Sequence, residues 1–260
     1  MFKNLYIYRR YLIGTFWTEL RYRYAGTILG FFWVVITPLL EVLIYAVVFS
    51  QIINIRSGGE RGVSYTLFLT SGLFPFMAFS QVISRGMDAI KSNAMYMRRS
   101  LVPSEVFVFK EVLLSGFSFF IYLFLLIPIS LIAGNPITWR ALLMPVFAIF
   151  LLILGFGMSL PLANLRILFP DLGEIIPVIL QLWRWTLPIM FTDKNFPAWL
   201  RRLMSLNPPY YFIRSFRDVL IEQSVPPVEA WVSMGLWIIF FLIMAHVISG
   251  QLRREVKDLL

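Results

Sequence analysis

The chain contains no cysteine and a single histidine, His246, among its 260 residues. Disulfides, thiolate metal sites and any triad or metal centre that needs several histidines are therefore not expected. Charge is scarce as well: Asp, Glu, Lys and Arg together make up 14%, against about 25% in soluble domains. The GxxxxGK[ST] loop that cradles nucleotide phosphates is missing, so the chain by itself is not expected to hydrolyse nucleotide. Its acidic residues are scattered rather than gathered at one surface, which argues against a membrane enzyme. Outside the apolar stretches there is no basic run interleaved with aromatics, and nucleic acid is not an expected partner. The N-terminus has no compact apolar core followed by a small-residue cleavage site, so no removable signal peptide is expected.

What remains is apolar: 59% hydrophobic and 17% aromatic, with a net charge of +9. This composition reads as an all-α integral membrane protein, and its basic balance concerns membrane sidedness and anionic lipid. Residues 1–25 space Leu5, Tyr8, Leu12, Phe16 and Leu20 by three and four, with Lys3, Arg10 and Arg21 opposite. Such an amphipathic helix is too charged to span and is expected to lie along the membrane surface, apolar side down. Six transmembrane helices follow, over 28–53, 65–84, 112–133, 141–165, 171–191 and 231–249. Gly58 and Gly59 mark a turn, and 85–105 reads as a polar loop. Gly134, Asn135 and Pro136 mark another turn, and Gly155, Gly157, Ser159 and Ala163 permit close helix packing. Between the fifth and sixth spans, 192–230 is broken by prolines, and 198–205 and 210–221 are expected as short outer-face helices. Tyr210, Tyr211 and Phe212 there would join an aromatic belt. The whole of 1–260 thus reads as one transmembrane domain, with a core over 28–249 and a basic tail over 250–260. With both termini cytoplasmic, fourteen Lys and Arg lie inside against eight outside, Arg214 and Arg217 among the eight.

The fifth run, DLGEIIPVILQLWRWTLPIMF, carries Arg184 well inside it. A charge at the centre of a span costs roughly 2.5–3.5 kcal/mol even on lenient scales, so it faces protein or water. At 100° per residue, Glu174, Gln181, Arg184, Trp185 and Pro188 share one arc, and Ile175, Ile179, Leu182, Trp183 and Met190 share the other. Three readings stand open: Arg184 borders a pathway, pairs with Glu41 or Glu174, or reaches the headgroups by snorkelling. Just before this run, Pro170 fixes a turn and Asp171 is a candidate helix cap.

Four segments, RYRYAGTILGFFWVVITPLLEVLIYAVVF, TSGLFPFMAFS, RILFPDLGEIIPVILQLWRWTLPIMF and LNPPYYFIRSFRDVLI, occur in order over nearly the whole chain. Together they resemble the transmembrane permease of polysaccharide-exporting ABC transporters, of the O-antigen and teichoic-acid type. The resemblance implies a homodimer in the bacterial cytoplasmic membrane, with two separate ATPase subunits that bind the ATP and Mg. The implied substrate is a glycan on undecaprenyl pyrophosphate or a related lipid. By similarity the first and fifth spans line the conduit, 94–99 forms a cytoplasmic gate helix, and the outer helices cap the exit. The arginine between two tryptophans, Trp183 and Trp185, departs from the family's pattern and bears on the glycan's chemistry.

Sugar rings present CH faces that stack on aromatics, so Phe31, Phe32, Trp33, Tyr45 and Trp185 are conduit candidates, with Glu41, Gln181 and Arg184 as the polar ones. An ATPase must push on exposed segments, for which Ala94, Arg98, Arg99, Glu105, Arg166, Pro170, Asp171 and Glu174 are the candidates. A drug or lipid permease, and more distantly a secondary transporter or channel using Glu41 and Arg184, are the rival readings.

Overall fold

The computed structural model describes residues 1–24, 30–48, 64–99, 102–192 and 196–259. The Gly58–Gly59 turn, both ends of the first expected span and the expected outer cations Arg56, Arg61 and Lys194 lie outside them. The described residues form α-helices and short 3-10 turns, with no strand among them. In order these are α1 (Phe2–Ile7), α2 (Arg9–Tyr24), α3 (Trp33–Val47), α4 (Tyr65–Ser92), α5 (Ala94–Arg99), α6 (Ser104–Ile132), α7 (Met144–Leu168), α8 (Leu172–Trp185), α9 (Ala198–Ser205), α10 (Tyr210–Leu220) and α11 (Val228–Leu259).

Four stretches are long and apolar enough to cross a membrane: Tyr65–Ser92, Ser104–Ile132, Trp139–Leu168 and Val228–Arg253. Helix α4 is the axis of the bundle, packed between α6 and α7, with α11 on the far side of α7. Lipid tails are as apolar as leucine, so these helices gain little by hiding apolar surface and associate instead through close packing. Glycine supplies the closeness. A Cβ at Gly155 would stand 2.6 Å from Val82 and one at Gly86 2.6 Å from Ser159, both across the α4–α7 seam. At Gly157 it would meet the backbone of Phe241 at 3.1 Å, across the α7–α11 seam. Gly134 turns the chain between α6 and α7 with φ +72°, and the adjacent Asn135 side-chain amide donates to the carbonyl of Leu220 at the end of α10.

Three expectations change in the folded chain. The polar stretch after the second span is not a loop at its start: α4 runs on to Ser92, and α5 follows after Asn93. The segment before the last span does form helices at 198–205 and 210–220, but α10 is no surface helix. Tyr210 and Phe212 are buried rather than placed in a belt, and Phe216 packs on Phe119 and Phe147. Finally, the apolar stripe of the N-terminal helix is used against protein. Leu12 is buried, Phe16 meets Phe117 edge-on, and Asn4 donates to Glu105 at 2.8 Å. Glu19 pairs with the buried Lys110 of α6 at 2.5 Å. The large apolar residues left facing outward on these two helices are Tyr6, Ile7, Ile13, Trp17 and Tyr22.

Candidate functional site

Helix α8 follows a tight turn in which the carbonyl of Pro170 accepts from Gly173 at 3.1 Å. Asp171 opens the helix through its backbone: its carbonyl accepts from Glu174 and Ile175, each at 3.0 Å. Its carboxylate makes no capping bond and stays exposed, which corrects the expected side-chain cap. The helix then runs for 14 residues, about 21 Å at 1.5 Å per residue, short of the ~30 Å hydrocarbon core. The run 171–191 is therefore not one helix. It stops at Trp185 because the ring of Pro188 would collide with the carbonyl of Arg184 in a continued helix. Leu187, Pro188, Ile189 and Met190 follow as buried, non-helical backbone.

Such backbone needs partners where no water reaches it, and Arg217 of α10 supplies them. Its guanidinium donates to the carbonyls of Pro188 and Ile189, the latter at 2.8 Å, and approaches the carbonyl of Phe68 at 3.4 Å. It also lies 3.8 Å over the Phe68 ring. Gly72 leaves room for it, since a Cβ there would come within 2.8 Å of Nη2. Arg217 was counted in the sequence as an outer cation, yet it is 9% exposed. The signal was present: it stands one turn after Ile213, beside Phe216 and before Leu220, on the apolar stripe of α10.

Along its length α8 touches the bundle lightly. Leu180 is its one buried residue, with Ile176 and Trp183 packed partly against the core. Trp183 stands edge-on to Phe79 at 5.7 Å and donates from Nε1 to Asn207 at 2.9 Å. The packing face is thus Ile176, Leu180, Trp183 and Leu187, not the arc of Ile175, Ile179 and Leu182, which are exposed together with Val178. Of the polar arc, Glu174 and Gln181 are exposed, Trp185 is 51% exposed, and Pro188 is buried.

Arg184 settles on Glu41 and not on Glu174: Nη1 donates to Oε1 at 2.6 Å, and the guanidinium lies 5.4 Å from the Tyr45 ring centre. Both charges are partly buried, so each neutralises a partner that would otherwise be costly inside a bilayer. The pair joins α8 to α3, whose Trp33, Leu39, Leu40, Leu43 and Ile44 are exposed, as is Phe32 in the turn before it, while Tyr45 packs against the core. The side chain of Phe31 lies outside the described residues. Seven of the eight conduit candidates are thus seen on α3, the turn before it and α8, with Glu41, Tyr45 and Arg184 in direct contact.

The other candidates gather at the end of the bundle that carries α5. Ala94 is half-buried, and Arg98, Arg99, Pro170, Asp171 and Glu174 are exposed. Two are engaged internally: Glu105 with Asn4, and Arg166 with Asp88 of α4. The Arg166 guanidinium lies against α8 at Gly173, where a Cβ would come within 2.5 Å of it. Tyr96 of α5 stacks on Tyr11 at 6.2 Å and meets Phe107 edge-on at 5.9 Å, so α2, α5 and α6 share one aromatic contact. Partial burial and the neighbouring Tyr96 push the Tyr11 phenol up to about 12.

Helices long enough to cross a bilayer, sealed by glycine seams and holding paired charges between them, define a multi-pass membrane protein. The chain belongs to the ABC-2 type transporter family, whose model matches residues 12–221. It is 25% identical to the O-antigen export system permease protein RfbA of Myxococcus xanthus over 258 residues, 98% of this chain and 97% of that one. A Klebsiella pneumoniae protein of the same name is 25% identical, covering 80% of this chain and 78% of the relative. The polysialic acid transport protein KpsM of Escherichia coli is 25% identical, with 81% of each chain covered.

Proposed function

We propose that this chain is the membrane-spanning permease of an ATP-driven exporter that moves a lipid-linked polysaccharide, an O-antigen-like glycan, across the bacterial cytoplasmic membrane. Two copies form the pathway, and two separate ATPase subunits, which bind ATP and Mg, dock on the cytoplasmic side. The α5 end with both termini is cytoplasmic. The first and fifth membrane passages run through α3 and through α8 with its non-helical continuation, which makes six. The outward stripe of α1 and α2 rests at the headgroup layer. Helices α9 and α10 stand at the exit.

One observation carries the reading. The sparsely packed faces of α3 and α8 meet at the Arg184–Glu41 pair and otherwise leave Trp33, Leu43, Ile179, Leu182 and Trp185 uncovered. A second copy facing these helices would enclose a passage walled by aromatic and aliphatic side chains, over which sugar rings slide without fixed hydrogen bonds. The names of the relatives support a polysaccharide as the cargo.

The test is reconstitution of the chain with a P-loop ATPase that co-purifies with it, supplied with a lipid-linked glycan. Export that requires ATP hydrolysis, together with dimer crosslinking of single cysteines at Leu43 and Ile179, is the expected result. Export driven by an ion gradient without an ATPase would assign the chain to secondary transport and sink the proposal. Offering teichoic acid or capsular polymer in the same vesicles separates the alternative cargoes.

A further inference from the structure

Helix α8 meets the bundle along a narrow strip of Ile176, Leu180 and Trp183, and the arginines that attend its two ends differ in kind. Where α8 breaks, Arg217 is almost fully buried and serves the carbonyls of Pro188, Ile189 and Phe68. At the α5 end, Arg166 holds α8 by lying over Gly173 while its charge is met by Asp88, whose side chain is 50% exposed. Removing the first contact strands a buried cation and two or three backbone acceptors away from water. The second opens more readily, because Asp88 is half-exposed and regains water, although the Arg166 side chain is itself only 13% exposed. Between the ends only Leu180 is buried; Trp183, held by Phe79 and Asn207, stands near the broken end, so toward the α5 end only the half-buried Ile176 adds apolar packing.

The geometry points to α8 as a lever: pinned by Arg217 at its broken end, it swings at the α5 end when the Arg166–Asp88 pair opens. Arg217 is then a positioning residue for Arg184 and Trp185, which lie close to the pin and move least. Pro170, Asp171 and Glu174, the exposed residues at the other end, move most. A push applied near the α7–α8 turn becomes a change in how the α5 end of α8 leans against the bundle, with the Arg184–Glu41 pair near the fulcrum. The consequence for transport rests on α8 as a conduit wall, but the motion itself does not.

Amide hydrogen exchange of the full chain in lipid nanodiscs, without substrate, tests the lever. In the wild type, the amides in 175–178, which are those of Ile175, Ile176 and Val178 because Pro177 has none, should exchange faster than amides 182–186. Asp88→Asn should raise exchange at 175–178 about three- to tenfold and leave 182–186 unchanged, and Asp88→Glu should keep wild-type protection. Arg217→Lys should instead raise exchange at 182–186. Equal protection at both ends in the wild type, a rise at both ends in Asp88→Asn, or no rise at all would overturn the proposal. Failed export with this exchange pattern intact would sink the transport reading alone.

Discussion

Helices α4 and α8 both contain proline and both involve arginine, yet one is the axis of the bundle and the other lies against its side. Eighteen of the 28 residues of α4 are buried, against one of the 14 in α8. The first is fixed by shape, through glycine seams that admit no added carbon. The second packs through a narrow strip and is joined to its neighbours by the Arg184–Glu41 pair and by Arg166 lying over Gly173. Packed interiors do not deform continuously, so a transporter needs a rigid body and an element attached more loosely to it. Here the division runs between α4, α6, α7, α10 and α11 on one side and α8 on the other.

The largest effect should come where the two regions join. Arg217→Met leaves the carbonyls of Pro188 and Ile189 without a donor in an apolar site, and should cost about 1–3 kcal/mol for each. Membrane abundance should fall, and the detergent-solubilised protein should unfold at clearly lower temperature. Unchanged abundance would mean that the non-helical segment has another support.

Glycine substitutions sharpen the contrast directly. Gly155→Ala drives a methyl group into Val82 on a packed seam and should destabilise by about 1–3 kcal/mol. Gly173→Ala meets only the end of the flexible Arg166 side chain and should cost less than about 1 kcal/mol. Thermal unfolding of both variants checks this, and equal losses would erase the distinction between the two regions.

The Arg184–Glu41 pair should show an intermediate and repairable effect. Arg184→Gln strands Glu41 within the membrane region and should lower abundance, and exchanging the two charges should restore it. If Arg184 also meets anionic groups of the cargo, Arg184→Lys should keep more export than Arg184→Gln at matched protein levels. Export unaffected by either substitution would leave the arginine a purely structural partner.

The smallest effect concerns pH at the α5 end. With its proton held up to about 12 against an ordinary value of 10.0, Tyr11 adds stability to the docked N-terminal helix that is fully present below pH 10. That contribution is lost as pH rises through about 12. Protection of the α2 amides should be flat from pH 6 to 9 once corrected for intrinsic exchange, and should weaken above pH 10. In Tyr11→Phe the additional alkaline loss should disappear.

Residue types and spacing were enough to establish a helical membrane chain, to place the four long apolar helices, and to find the tight glycine packing of the fourth run. They also located Arg184 and Glu41 as charges needing an explanation. These inferences rest on local rules: apolar length against bilayer thickness, glycine at turns, the expense of a charge away from water. The partner of Arg184, the break at Trp185 and the burial of α10 were decided only by the tertiary structure. Proline at 188 announced that a helix would have difficulty there, but not that an arginine 29 residues later would make the break stable. A broken backbone in an apolar region persists only when another element brings donors to it. Which element does so depends on how α4 and α10 pack against each other, and no pattern within either segment contains that information. The same holds for Leu12 and Phe16: an apolar stripe fits a membrane surface and a neighbouring helix equally well, and the positions of Lys110 and Glu105 on α6 chose the helix.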